Sequence, residues 1–304
     1  MATEKKVEFL TIDGLMLRGI LFEAQQKGGG VVLSTGFNCV KEMLGQTQLA
    51  RAFQDAGITA LLYDPRTTGE SDGQPRNHIQ PYKQVEDISD AITYLASLPI
   101  VDPNFIGVWG MSLGGATTLC AASFDRRAKF VIAICPAAGY QFSEERLLKV
   151  LEKCFQDRES QINGNEPFMI PLVNTDGINP AGCSFGNEME VGKAARFAQA
   201  HLDLALGWPN KTTIQSYHQL MMWTPWPTWK HLDQTPTMFI VPEFDRVCPV
   251  ESQKRHFEQL KCPKRLILAP DSGHFDVLTN TRSAEIIEEQ IRFIMDVFHE
   301  KFKE

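Results

Sequence analysis

Short apolar runs alternate with amphipathic stretches along most of the chain. Residues 7–12 and 15–22 flank an Asp13-Gly14 turn, the pattern of a β-hairpin. Residues 31–35 form a β-branched apolar run that enters Gly36-Phe37-Asn38. A helical pattern over residues 41–56 then ends at Gly57. Residues 58–63 read as a buried strand leading into a loop dense in turn formers, Asp64 to Gly73. Val85, Ile88, Ile92 and Leu95 have helical spacing, and Pro99 stops that helix. Further apolar runs at 105–109 and 130–136 enclose a stretch of small and apolar residues that reads as a helix. This alternation predicts an α/β fold with a mostly parallel central sheet and helices on both faces.

The alternation breaks near residue 139. From there to 234 the pattern gives helical stretches, at 144–155 and 191–205, and no convincing strand. Four of the five tryptophans (208, 223, 226 and 229) fall in this segment, which reads as an insertion folded over the carboxyl edge of the sheet. Strand and helix patterns resume at 237–242, 251–260, 265–269 and 283–302. The expected organisation is a core in two parts, residues 1–138 and 235–304, with a helical cap insertion at 139–234.

Composition narrows the partners. The net charge is -7 and Lys and Arg are scattered, so neither nucleic acid nor an anionic membrane surface is expected to bind. No apolar run approaches the ~18 residues of a membrane span, and no signal peptide is apparent behind the first six residues. Seven cysteines without CxxC or zinc spacing read as reduced, mostly buried thiols. A soluble cytoplasmic protein is the expectation.

The chemistry centres on Gly110-Met111-Ser112-Leu113-Gly114, which lies between a strand pattern and a helix pattern. That context places a serine on a tight, strained turn, with the N–H groups of a helix start beside it. Glycine at 110 and 114 is expected because a side chain there would collide with neighbouring backbone. The plainer alternative is a chance glycine–serine turn. A serine nucleophile needs a base. Of seven histidines, His274 alone sits in a glycine-flanked loop just past a strand. His256 and His299 lie in helix patterns and are expected to be solvated, while His201, His218 and His231 fall in the cap. The base needs a carboxylate to orient it, and Asp245 closes the preceding strand. Glu243 is the runner-up, and Asp271 reads as stabilising its own turn. The backbone N–H groups of Leu113 and Phe37 are the expected oxyanion donors. Met111, Met221, Met222, Trp223, Trp226 and Trp229 are candidates to line an apolar substrate cavity; the alternative is that they glue the cap to the core. No two histidines pair with a carboxylate at ligand spacing, and no G-x-G-x-x-G follows a strand, so neither metal nor dinucleotide cofactor is expected.

Over residues 15–138 and 235–304 the chain resembles the α/β-hydrolase superfamily. Gly36-Phe37 with Val40-Lys41-Glu42-Met43, Asp64-Pro65-Arg66 with Gly69-Glu70-Ser71-Asp72-Gly73, Val101-Asp102-Pro103 and Trp109 to Gly115 resemble a narrower group. That group is the dienelactone-hydrolase-related and X-Pro-peptidase-like hydrolases, whose fungal members include thiohydrolases and polyketide transferases acting in trans beside polyketide synthases. The resemblance implies a Ser112, Asp245 and His274 triad, an oxyanion hole from Phe37 and Leu113, and a small-molecule or carrier-bound acyl substrate. It leaves a homodimer open. One departure is Thr35, where many relatives carry His. The function expected is a serine hydrolase or acyltransferase acting on an ester or thioester of an apolar acyl chain. Two alternatives stand beside it: the same triad used for carbon–carbon chemistry or cyclisation, and a non-catalytic ligand-binding fold.

Overall fold

The computed structural model describes residues 3–139, 142, 144–174, 178–182 and 209–302. Ten strands are described: β1 (Thr3–Leu10), β2 (Met16–Glu23), β3 (Gly28–Ser34), β4 (Thr59–Tyr63), β5 (Val101–Met111), β6 (Ala128–Ile134), β7 (Met169–Ile170), β8 (Thr212–Thr213), β9 (Thr237–Pro242) and β10 (Lys264–Ala269). The helices described are α1 (Gln46–Asp55), α2 (Pro81–Ala96), α3 (Leu113–Phe124), α4 (Glu144–Ile162), α5 (Ile214–Met222), α6 (Val250–Gln259) and α7 (Ser283–Phe298), with a 3₁₀ turn at Trp226–His231.

Eight strands make one sheet in the order β1-β2-β4-β3-β5-β6-β9-β10. β1 and β2 pair antiparallel, as the Asp13-Gly14 turn requires, and β2 meets β4 antiparallel. From β4 to β10 every pairing is parallel. The central strands are buried on both faces, which is why they read as unbroken apolar runs. Alternate side chains divide between two cores. Val108, Val131 and Ala133 face α2, α3 and α6, where Ile88, Ile92, Leu119 and Phe257 pack. Trp109, Phe130 and Ile132 face α1 and α7, where Phe53, Ile287 and Phe293 pack. Trp109 also donates its indole N–H to Gln290 Oε1 at 2.7 Å, so α7 is pinned to the strand that leads into Ser112.

Three details differ from the pattern-based expectation. α1 begins at Gln46, because Leu44 and Gly45 take positive φ (58° and 76°) and interrupt the helix. Lys41 therefore lies in the preceding loop, where its N–H and ammonium both donate to Asp64. The insertion also contains a two-residue antiparallel ladder, β7 with β8, too short to leave a periodic signal. The expected helix at 191–205, with Trp208, His201 and Cys183, lies outside the described residues. The six described cysteines are buried. Among the described residues no helix is long and apolar enough to cross a membrane.

Candidate active site

β5 runs out at Met111, and α3 starts at Leu113, leaving one residue for the reversal. That residue, Ser112, has φ 57° and ψ -120°. A non-glycine residue there is strained, and the surrounding structure must hold it. Ser112 N–H donates to Ile134 O at 2.9 Å, and its carbonyl accepts from Ala137 N–H at 3.0 Å and Ala116 N–H at 3.1 Å. The glycines act as expected. A Cβ on Gly110 would stand 2.1 Å from Gly114 O, and one on Gly114 would stand 2.3 Å from Ser34 O and 2.4 Å from Thr35 O.

His274 lies past the end of β10, in a loop pinned by Ser272 Oγ donating to Ala269 O and Gly273 N–H donating to Asp276 Oδ1. Its Nε2 is 3.0 Å from Ser112 Oγ. Its Nδ1 is 3.0 Å from Asp245 Oδ2 and 3.2 Å from Oδ1. Asp245 follows β9 and is buried. Its Oδ1 accepts the N–H groups of Val247 and Cys248, each at 2.9 Å, and its Oδ2 accepts Gln253 Nε2 at 3.0 Å. Every one of these neighbours is a donor, so the carboxylate accepts throughout and His274 Nδ1 carries the proton. Nε2 is then the acceptor facing the Ser112 hydroxyl. The runner-up carboxylate, Glu243, is exposed and accepts from Asp271 N–H at 3.0 Å instead. Asp271 is itself on the surface, with φ 54°.

Gly36 brings the loop after β3 against the serine. A Cβ built on it would be 3.6 Å from Ser112 Cβ. Phe37, the next residue, lies between the two cores, its ring centroid 5.9 Å from that of Tyr217 in α5. Leu113 opens α3, so its N–H has no intrahelical acceptor. Thr35, the residue before Gly36, is buried and donates from Oγ1 to Cys39 O.

The six candidate lining residues separate. Met111 is buried at the end of β5, in the core that faces α1 and α7. Trp223 and Trp229 are buried in the opposite core; Trp223 stands edge-on to Tyr82, and Trp229 meets Phe239 and His256. For these two the contacts are those of packing between insertion and core. Met221 packs partly against the same core, and Met222 is exposed. Trp226 is exposed and stacks on His256. The groove of about 300 Å³ that Trp226 and Trp229 line includes neither Ser112 nor His274. His256 is not solvated as its helix pattern suggests. It is half-buried under Trp226, and burial pushes its pKa below the usual histidine value.

Sequence reasoning missed Gln253, which holds Asp245, and Asn38, which braces the loop at Phe37. It also missed Cys135. That thiol, at φ 39°, is buried beside Asp245; burial first, then the carboxylate's charge, push its pKa well up and keep it protonated at neutral pH. Cys135, Asp245 and His274 are the described residues whose donor atoms cluster closely enough, within 4.8 Å, to hold a metal. Two of them are already joined by the histidine–carboxylate hydrogen bond.

Comparison with known proteins agrees with the fold. A family model described as the alpha/beta hydrolase family matches residues 29–289. A thiohydrolase of Eupenicillium brefeldianum is 44% identical over 295 residues, covering 97% of this chain and 94% of its own. The polyketide transferase claH of Penicillium crustosum is 40% identical over 304 residues, covering 97% of each chain. The solved structure of DcsB in complex with its substrate analogue matches with a TM-score of 0.91 at 39% identity, over 97% of this chain and 99% of that one. A match over most of the length, on a sheet of this order, has one consequence: the chain belongs to the alpha/beta hydrolase family.

Proposed function

We propose that this protein is a serine hydrolase or acyltransferase that releases or transfers a polyketide-type acyl group held as an ester or thioester. The observation that carries the reading is the unbroken line of contacts from Ser112 Oγ through His274 to Asp245, each step 3.0 Å. Ser112 Oγ attacks the acyl carbonyl as His274 Nε2 takes its proton. Asp245 stabilises the imidazolium so formed and keeps it oriented. The carbonyl electrons move onto oxygen, which the N–H groups of Leu113 and Phe37 receive. Collapse of this intermediate expels the thiol or alcohol, which takes the proton from His274 and leaves an acyl-Ser112. Water, an alcohol or a nucleophile within the acyl chain then repeats the sequence in reverse and frees the acyl group.

The acyl class and its source come from two supports. Relatives matched over nearly their whole length are a thiohydrolase and a polyketide transferase by name. Phe37 and Phe142, both partly exposed, pack on the buried Tyr217 beside the loop that faces Ser112. A carrier-bound chain delivered by a polyketide synthase in trans fits both. Cys39, Cys120, Cys135 and Cys154 are buried free thiols, as a reducing compartment would leave them, and we read the protein as cytoplasmic. The test is intact-mass analysis after mixing with an activated acyl thioester and, separately, with a fluorophosphonate. Addition of one acyl or phosphonyl group to wild type, and of none to Ser112→Ala, is expected. Turnover undiminished in Ser112→Ala would defeat the proposal.

A further inference from the structure

The turn that brings Phe37 to Ser112 is braced by a side chain the relay does not use. Cys39 N–H donates to Gly36 O at 3.2 Å, closing a turn over Gly36, Phe37, Asn38 and Cys39. Asn38, the third residue, has φ 53°. A left-handed residue at that position defines one of the common turn types, and asparagine tolerates it better than most side chains. The closing bond fixes a particular peptide plane. Because the Gly36–Phe37 peptide is planar and trans, the Phe37 N–H points opposite to the Gly36 carbonyl. With that carbonyl turned in toward Cys39, the N–H is turned out of the turn, in a peptide that runs alongside Ser112.

The buried amide of Asn38 is occupied at both ends. Nδ2 donates to Lys211 O at 3.2 Å, and Oδ1 accepts from Asn77 Nδ2 at 3.1 Å. Lys211 immediately precedes β8 in the insertion. Asn77, buried and also left-handed (φ 56°), gives its own carbonyl to Thr212 Oγ1 at 2.6 Å and to Thr213 N–H at 3.2 Å. The turn at Phe37, the loop that follows β4 and the start of β8 thus form one closed circuit of hydrogen bonds.

We infer that Asn38 is a positioning residue that aims the Phe37 N–H at the developing oxyanion and ties that aim to the seating of the insertion. The inference rests on the acyl chemistry proposed above. A hydrogen bond weakens steeply as its angle departs from linear, so a turn free to rock loses stabilisation that a braced turn keeps. Substrate contacts with the insertion therefore act on the oxyanion donor through Lys211 and Thr212.

Two variants separate this role from plain folding. Asn38→Gly keeps the positive φ and deletes the amide. Thr212→Val removes the 2.6 Å bond from the insertion to Asn77 O, weakening the circuit there to the longer bond from Thr213 N–H, and leaves Asn38 in place. The readout compares p-nitrophenyl hexanoate with its thiono counterpart, in which sulfur, a poor hydrogen-bond acceptor, replaces the carbonyl oxygen. Asn38→Gly is expected to lower kcat on the oxygen ester about 10- to 100-fold, somewhat below the loss on deleting a whole oxyanion donor. The thiono ester should lose much less, KM should hardly move, and a fluorophosphonate should still label Ser112 to completion. Thr212→Val should shift the oxygen-to-sulfur ratio the same way by a smaller factor, and it alone decides the matter should Asn38→Gly not fold. Equal losses on both esters, or a wild-type ratio in both variants, overturns the inference. Failure of the fluorophosphonate to label wild-type Ser112 overturns the acyl-chemistry reading beneath it.

Discussion

Gly114 lies so close under Ser34 that a methyl group on it would stand 2.3 Å from the Ser34 carbonyl oxygen. The atom in the way is backbone, and it belongs to the last residue of β3, two positions before Gly36. Gly114→Ala must therefore push α3 and the end of β3 apart. Overpacking of this kind costs about 1–3 kcal/mol. We expect the larger effect on turnover, because the displaced segment carries the Phe37 turn away from Ser112. Gly115→Ala is the milder comparison: its Cβ would meet Gly110 O at 3.1 Å, Ile134 O at 3.2 Å and Pro136 Cα at 3.3 Å, each a few tenths of an ångström tight where Gly114 would overlap by about an ångström. Steady-state kinetics and thermal melts on the pair should show Gly114→Ala losing far more kcat. Comparable kcat in the two variants would contradict the account.

Lys41 makes a second kind of test, on a buried charge. Its Nζ lies 2.7 Å from Asp64 Oδ2 and 2.7 Å from Glu70 Oε2, and both Lys41 and Asp64 are buried. Burial alone would lower the lysine's pKa; the Asp64 charge and the hydrogen bonds to Asp64 and Glu70 raise it above the ordinary value instead. Lys41→Met leaves the Asp64 carboxylate buried without its cation, a change that costs about 3–5 kcal/mol. Adding Asp64→Asn should recover part of that loss. Denaturant titration of the single and double variants checks both statements, and a double variant less stable than Lys41→Met would count against them.

Acid stability follows from Asp13. Arg66 donates to its two oxygens at 3.0 and 3.2 Å and Thr11 Oγ1 donates at 2.7 Å. The Arg66 hydrogen bonds first, then that from Thr11, lower the carboxyl pKa from 3.8 to about 2. A depressed folded-state value means the unfolded chain binds the proton more readily. The stabilisation is therefore complete above pH 3.8 and is lost as pH falls through about 2. Asp13→Asn should melt below wild type at neutral pH, with the gap closing between pH 4 and pH 2. A gap that persists at pH 2 would show that the ion pair is not its source.

The fold and the meeting of Ser112, His274 and Asp245 were legible in the chain for a shared reason. Ser112, Asp245 and His274 each follow a strand, and parallel strands deliver their ends to one edge of a sheet whatever their separation in sequence. Periodicity finds the strands, and the glycines mark the tight turn. The braces had no such signal. Asn38 meets Asn77 across 39 residues and Lys211 across 173, and both contacts depend on how a loop without periodicity closes. The insertion was hardest for the same reason. Its tryptophans suggested a cavity, but hydrophobic composition does not say where a ring goes: Trp223 is buried against the core, whereas Trp229, also buried, borders a groove with Trp226 that includes neither Ser112 nor His274. His256 looked solvated because helical spacing does not reveal the Trp226 ring stacked upon it.

Gln253 offers the finest test of the relay, because it touches Asp245 and no reacting atom. Its Nε2 donates to Asp245 Oδ2 and also to Cys248 O, so it fixes both the carboxylate and the loop that follows. Asp245→Asn would remove the charge that stabilises the imidazolium and reverse the tautomer of His274, a change worth about 10⁴ in kcat where the same arrangement occurs in other enzymes. Gln253→Met keeps the charge and deletes one of its four N–H donors, the others being Val247, Cys248 and His274. A hydrogen bond to a charged group contributes about 1.5–3 kcal/mol, which sets a ceiling near a 100-fold loss. Part of that should appear in kcat, because the carboxylate is free to turn on its remaining contacts, and KM should stay near wild type. The order of kcat should be wild type above Gln253→Met above Asp245→Asn, with fluorophosphonate labelling slowed in the same order. Were Gln253→Met as impaired as Asp245→Asn, the amide would be doing more than holding the carboxylate. Were it as fast as wild type, the two backbone donors would suffice to hold Asp245 against His274.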